Sequence, residues 1–144
     1  MNKLLYIIIF LFSSNMFSQI DINWLKLRNV YYMSEFREDI SEYIQVARYG
    51  ETVEALNNQE VRITGYMLTL SPDEGLFVLS ENPYADCFFC GFGGPESAIE
   101  LRLNPGYDQF FMDDLVTVTG TLRLNRDDIS AGVYIMDNAV AVQE

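Results

Sequence analysis

Val61-Arg62-Ile63-Thr64-Gly65-Tyr66-Met67-Leu68 alternates apolar and polar side chains up to and past a glycine. Val116-Thr117-Val118-Thr119-Gly120-Thr121-Leu122-Arg123-Leu124 does so again 55 residues later. Alternation with period two is the mark of a half-buried strand, and a glycine inside each strand removes the side chain where the strand bends or bulges. The two segments read as equivalent, strongly curved strands. Between them Gly75 to Ser80 and Ala98 to Leu103 are two further strands, and Gly132 to Val142 is a fifth. Asn104-Pro105-Gly106 opens a turn, followed by at most a short helix through Met112.

Four strands, a short helical segment before the fourth and a fifth strand at the end form the element order of an OB-fold, a five-stranded Greek-key barrel. The expected fold class is therefore all-β with short helical segments: an OB-like barrel over residues 60–144, with an N-terminal β-hairpin extension over 19–59. In that extension Trp24 to Met33 alternates, placing Leu25, Leu27, Tyr31 and Met33 on one strand face. Ser34 to Glu42 reads as a charged loop, and Tyr43 to Ala47 as a returning strand. Thr52 can cap one helical turn carrying Val53 and Leu56.

The chain has 144 residues, 49% apolar and 14% aromatic, enough for one domain with a real core. It has no histidine, which excludes Ser-His-Asp and Cys-His catalysis, His-ligated zinc and His-held haem. A net charge of −12 opposes binding to a phosphate backbone, and residues 60–144 alone carry 4 basic and 14 acidic side chains. Nucleic acid is excluded as a partner on that ground.

Lys3, the apolar run Leu4 to Phe12 and the more polar Ser13 to Ser18 have the layout of a secretory signal peptide, residues 1–18. The run would span about 14 Å as a helix, roughly half a hydrocarbon core, so no stable membrane insertion is expected after cleavage. The expected location is periplasmic or secreted.

Cys87-Phe88-Phe89-Cys90-Gly91-Phe92-Gly93-Gly94-Pro95-Glu96 holds both cysteines. A C-x-x-C pair closes a disulfide, supplies two ligands to zinc or copper, or exchanges disulfides. Export favours the disulfide, worth only about 2 kcal/mol for so short a ring. Redox exchange lacks a following helix and a nearby cation, since no Lys or Arg stands between Arg62 and Arg102. Metal binding needs ligands beyond the pair, such as Asp86, Glu96 or a second chain. The glycines can expose N–H groups to an anion, but they read better as the means for a tight loop to pack. The pairs Asp73-Glu74, Asp113-Asp114 and Asp127-Asp128 read as turn residues.

The signal peptide, Glu60 to Met67, Phe77-Val78-Leu79-Ser80, Cys87 to Gly91 and Gly94-Pro95-Glu96-Ser97 together resemble a family of small secreted bacterial proteins of unknown function. The similarity covers about residues 55–142, and Cys87, Cys90, Gly94 and Pro95 carry it. The resemblance implies an OB-like domain; some such proteins are encoded beside cell-envelope ABC transporters and are suspected of handling metal ions. This chain departs from a more distant branch in which a Cys is followed by His and several prolines.

The reading that follows is an exported, non-enzymatic binding module without a cofactor. It presents Cys87, Phe88, Phe89, Cys90, Phe92, Gly94, Pro95 and Glu96 to a cell-envelope protein or small ligand. The alternatives are a metal-binding or metal-delivery accessory using Cys87 and Cys90, and then a thiol-disulfide enzyme.

Overall fold

Eight strands and two single-turn helices make up the regular structure of this computed structural model, which describes residues 18–87, 91, 93–107 and 109–144. In chain order these are β1 (Ile20–Asp21), α1 (Trp24–Leu27), β2 (Val30–Arg37), β3 (Glu42–Tyr49), α2 (Glu51–Glu54), β4 (Gln59–Ser71), β5 (Leu76–Ser80), β6 (Ala98–Leu103), β7 (Leu115–Leu124) and β8 (Tyr134–Gln143).

The last five strands close a barrel in the order β4-β5-β6-β8-β7, with β7 returning to β4. All neighbours are antiparallel except β6 and β8, which run parallel. This is the OB arrangement expected from the sequence. β4 holds the barrel together because its 13 residues serve two partners: Gln59 to Tyr66 pair with β7, and Tyr66 to Ser71 with β5.

The alternation explains the core. Val61, Ile63 and Met67 point inward from β4, as do Val116, Val118 and Leu122 from β7, and all are buried. Gly65 and Gly120 occupy inward positions in the same two series, where the interior has no room. A Cβ on Gly65 would stand 2.6 Å from the Ser80 carbonyl oxygen. One on Gly120 would stand 2.8 Å from the Asp137 carbonyl oxygen, at the point where the β7–β8 register shifts between Thr119 and Thr121. Of the bend or bulge expected at each glycine, a bulge is present at Gly120, whereas Gly65 serves close approach of chains within an unbroken β4–β7 register.

The N-terminal segment departs from its sequence reading. Trp24 to Leu27 is a helical turn, not the start of a strand: Asn23 caps it by accepting the Lys26 N–H, and the Trp24 indole donates to the Thr64 carbonyl at 2.8 Å. Leu27 is fully buried while Leu25, Tyr31 and Met33 are exposed, so the four do not share one face. The charged segment is mostly strand, because β2 runs to Arg37 and β3 begins at Glu42, leaving only a short turn. The hairpin itself is present, with Val30 opposite Tyr49 through Arg37 opposite Glu42. Gly50, not Thr52, caps α2; the Thr52 hydroxyl instead accepts from the Asn29 amide. Gly75 and Gly132 lie just outside β5 and β8, and the described residues of 104–114 form turns where a short helix was expected.

This segment and the barrel share one core. β1 pairs in parallel with β4, while Leu27, Tyr49, Val53 and Leu56 pack among the barrel residues. The Tyr134 hydroxyl, buried in the barrel, donates to the Leu27 carbonyl at 2.6 Å.

Candidate functional site

The cysteine-bearing loop leaves β5 and returns as β6. Its base is closed by the Glu81 N–H on the Ser97 carbonyl (3.0 Å), and Arg28 pairs with Glu81 at 2.7 Å. Cys87 is fully buried in a small cluster with Leu68, Val78 and Ala98, against which Leu70 packs. That cluster lies on the face of β4, β5 and β6 turned away from the barrel core. Phe88, Phe89, Cys90 and Phe92 lie outside the described residues, and with Cys90 the pairing of the two cysteines. Gly94, Pro95 and Glu96 form the far end of the loop, where Ser97 donates from both its N–H and its hydroxyl to the Gly94 carbonyl.

The Glu96 carboxylate folds back over Gly94 and accepts the Tyr32 hydroxyl at 2.9 Å. The loop's own carboxylate thus stands beside Gly94, where its charge opposes an anion. Burial, and then the bond to Glu96, push the Tyr32 phenol well above its ordinary range.

Pro95 stands between two clefts. The first, about 260 Å³, has an apolar floor of Leu70, Leu76, Val78 and Ala98, and the second, about 500 Å³, runs beside β3. Both are bounded by Pro95 and by Ala131, Gly132 and Val133 of the β7–β8 loop. Cys87 thus packs against Val78 and Ala98, two residues of the first cleft's floor. The first cleft lies on the face on which OB-folds receive ligands: residues of the second and third barrel strands floor it, and the loop that follows the fourth bounds it.

The β7–β8 loop owes its shape to Asn125. Its side-chain oxygen accepts the Asp127 and Asp128 N–H groups, and its amide donates to the carbonyls of Asp128, Ala131 and Gly132. Three further ties hold the loop. Glu100, in the floor of the first cleft, accepts the Gly132 N–H at 2.9 Å. Arg126 makes a double bond pair with Glu54 of α2, at 2.6 and 2.8 Å, and lies 5.3 Å from the Tyr49 ring centre. The Tyr49 hydroxyl sits 2.7 Å from the carbonyls of Asn125 and Val133. Burial pushes the Tyr49 phenol up to about 12.

Charge around the site is one-sided. All seven described arginines pair with a carboxylate: Arg28 with Glu81, Arg37 with Asp39, Arg48 with Glu35, Arg62 with Asp21, Arg102 with Glu100, Arg123 with Asp137 and Arg126 with Glu54. The Asp128 carboxylate is held by Ser130, whose hydroxyl keeps it below its ordinary range. The Asp127 carboxylate makes no hydrogen bond or close ion pair among the described residues, has Arg37 and Arg126 within electrostatic reach, and lies on the rim of the second cleft. The other acidic pairs do turn work: Asp113 accepts the Tyr84 N–H, Asp114 accepts the Phe111 N–H, and Asp73-Glu74 lie in a 3-10 turn. Among the described residues no three Cys, Asp or Glu side chains converge as a metal site, and no helix is long and apolar enough to cross a membrane.

Of the residues expected from the sequence, the structure brings Cys87, Pro95 and Glu96 to this site. Sequence reasoning missed the β7–β8 loop, Glu100 and the β3 edge. Asn125 ahead of Asp127-Asp128 signals a side-chain-built turn, but nothing in the sequence places that turn opposite Pro95.

The barrel with its N-terminal segment has a structural counterpart. It is similar to the crystal structure of a DUF3299 family protein from Pseudomonas aeruginosa PAO1, with a TM-score of 0.56 and 14% identity over 88% of this chain and 98% of that one. The likeness is one of fold. It extends beyond the barrel, since residues 59–143 make up far less than 88% of the chain. No family model matches the chain, and no curated protein does.

Proposed function

We propose that this protein is an exported, non-enzymatic binding module whose ligand surface is the pair of clefts joined across Pro95 and Ala131 to Val133. The observation that carries the reading is the position of the first cleft on the OB ligand face, where an apolar floor meets a loop tied down at Asn125, Glu100 and Tyr49 and shared with the second cleft. Binding to such a surface loses little ordering entropy, because the loop is already held. The ligand is a cell-envelope protein or small molecule and not a nucleic acid, since the paired arginines leave no positive groove to follow a phosphate chain.

A photo-crosslinking residue in place of Ile129, which lines the second cleft and is 59% exposed, tests the reading in the native host. The expected result is a discrete adduct from position 129 and none from position 25, where Leu25 is exposed but lines neither cleft. No adduct, or the same adduct from both, overturns it.

In this reading the Cys87–Cys90 pair is a disulfide that shapes the loop. Its support is the burial of Cys87 among Leu68, Val78 and Ala98, which shields the sulfur from exchange partners and makes a metal-bound thiolate costly. Intact mass before and after alkylation in denaturant without reductant distinguishes this from a zinc or copper site and from a reduced redox pair: an exported protein that takes up no alkylating reagent when unfolded supports the disulfide. Export itself predicts an N-terminus after Ser18, read by sequencing the protein recovered outside the cytoplasm.

A further inference from the structure

The second cleft is bounded on one side by a strand edge. Ile44, Gln45, Val46 and Ala47 all line it. Successive strand residues point to opposite faces, so four in a row border a cleft only when it runs along the strand's edge. Among the described residues β3 pairs with β2 alone. The Gly50 N–H bonds the Asn29 carbonyl in the register of the ribbon, and inter-strand bonds recur at every second residue of an antiparallel pair. Ile44, Val46 and Arg48 therefore direct their main-chain groups toward β2, while Gln45 and Ala47 direct theirs outward; Gln45 is exposed, and Ala47 borders the cleft while only 5% exposed. Exposed edges are ordinarily guarded by charge, proline or a bulge. Tyr43 to Ala47 has none of these, and its register with β2 is unbroken.

The geometry points to strand addition: an extended, cationic segment of a partner protein pairs with β3 through Gln45 and Ala47 and sets a Lys or Arg against Asp127. The inference rests on the binding-module reading and names its occupant. Main-chain bonds to β3 supply affinity, and alternate side chains of the segment meet the apolar wall of Ile44, Val46 and Ile129 on one side and the acidic rim on the other. Charge selects the partner. The chain carries −12 and every described arginine is already paired, so a second copy brings repulsion and only Lys26 as a cation without a carboxylate, whereas a basic segment finds in Asp127 a carboxylate that makes no close ion pair of its own.

The test uses the purified protein labelled with nitrogen-15 and two capped hexapeptides, one alternating lysine with valine and the other glutamate with valine. The lysine peptide is expected to bind and to slow amide exchange at Gln45 and Ala47 at least tenfold at saturation, with Ile44 and Val46, already bonded to β2, little changed. The glutamate peptide is expected to bind at least tenfold more weakly. Asp127→Asn, which loses no hydrogen bond or close ion pair, is expected to weaken the lysine peptide several-fold and to leave the exchange of barrel amides as it was. Failure of the lysine peptide to bind at millimolar concentration, equal binding of both peptides, or unchanged exchange at Gln45 and Ala47 overturns the inference. An adduct at position 129 alongside any of these results leaves the binding module standing and removes only the cationic strand; the absence of an adduct removes the module itself.

Discussion

Replacing Gly65 with alanine places a methyl carbon 2.6 Å from the Ser80 carbonyl oxygen, 2.9 Å from Trp24 Cζ2 and 3.1 Å from Leu79 Cγ. Carbon contacts are comfortable at about 3.5 Å or more, so β4 and β5 must part by several tenths of an ångström. They do so where Tyr66 pairs with Ser80, the first rung of their ladder. Overpacking against main chain costs about 3 kcal/mol, near the top of the usual range, because a carbonyl in a ladder cannot rotate away. For a chain of this length that lowers Tm by about 12 °C. Gly106→Ala makes the contrast. There a Cβ meets nothing within 4 Å, but φ is +89°, so the cost is conformational and about 1 kcal/mol, or about 4 °C. Differential scanning calorimetry of both variants measures the two penalties. A further variant isolates the cause: Trp24→Ala in the Gly65→Ala background removes the indole but not the Ser80 carbonyl, so it should recover no stability. An equal fall in Tm for Gly65→Ala and Gly106→Ala, or recovery in the double variant, would refute the argument from main-chain approach.

Tyr134→Phe leaves the Leu27 carbonyl without its buried donor and is expected to cost about 2 kcal/mol, read from the shift in urea midpoint at unchanged slope. Stability should fall as pH rises from about 10 to about 12: unfolded tyrosines ionise from their ordinary value of about 10, while Tyr49 stays neutral in the fold until about 12, so the unfolded state holds fewer protons across that window. Urea midpoints at successive pH values check the sign; a midpoint that rises over that window contradicts it. Asn125→Ala removes the donors and acceptor that shape the β7–β8 loop, and it should raise amide exchange across residues 126–133 while the barrel strands keep their protection.

The barrel was legible in the sequence because each of its strands carries its own evidence. Ala98 to Leu103 ends where the sequence reading places it, and β4, β5, β7 and β8 start or stop within a few residues of their expected bounds. Alternation is local, and burial of one face enforces it. The N-terminal segment was less legible, and Trp24 to Leu27 shows why. Trp24, Leu25 and Leu27 fit a strand on one side or a helical turn on the other, and a four-residue stretch is too short for periodicity to choose. The choice was made by groups far along the chain: the Thr64 carbonyl that takes the indole and the Tyr134 hydroxyl that takes the Leu27 carbonyl.

The candidate site divides in the same way. The Cys87 to Glu96 segment is conspicuous in sequence because its residue types are unusual; Pro95 lines both clefts, and Glu96 bonds to Tyr32 of the second. Composition alone settled the acidity and the absence of histidine, since neither depends on how the chain folds. Which carboxylates are spent on arginines and which remain for a partner depends on pairs up to 72 residues apart, as for Glu54 and Arg126. The open edge of β3 faces the β7–β8 loop only because Tyr49 and Glu54 hold that loop beside the hairpin. Local pattern determines strands, since each residue reports its own burial; a cleft belongs to no single segment, and closure of the barrel brings its walls together.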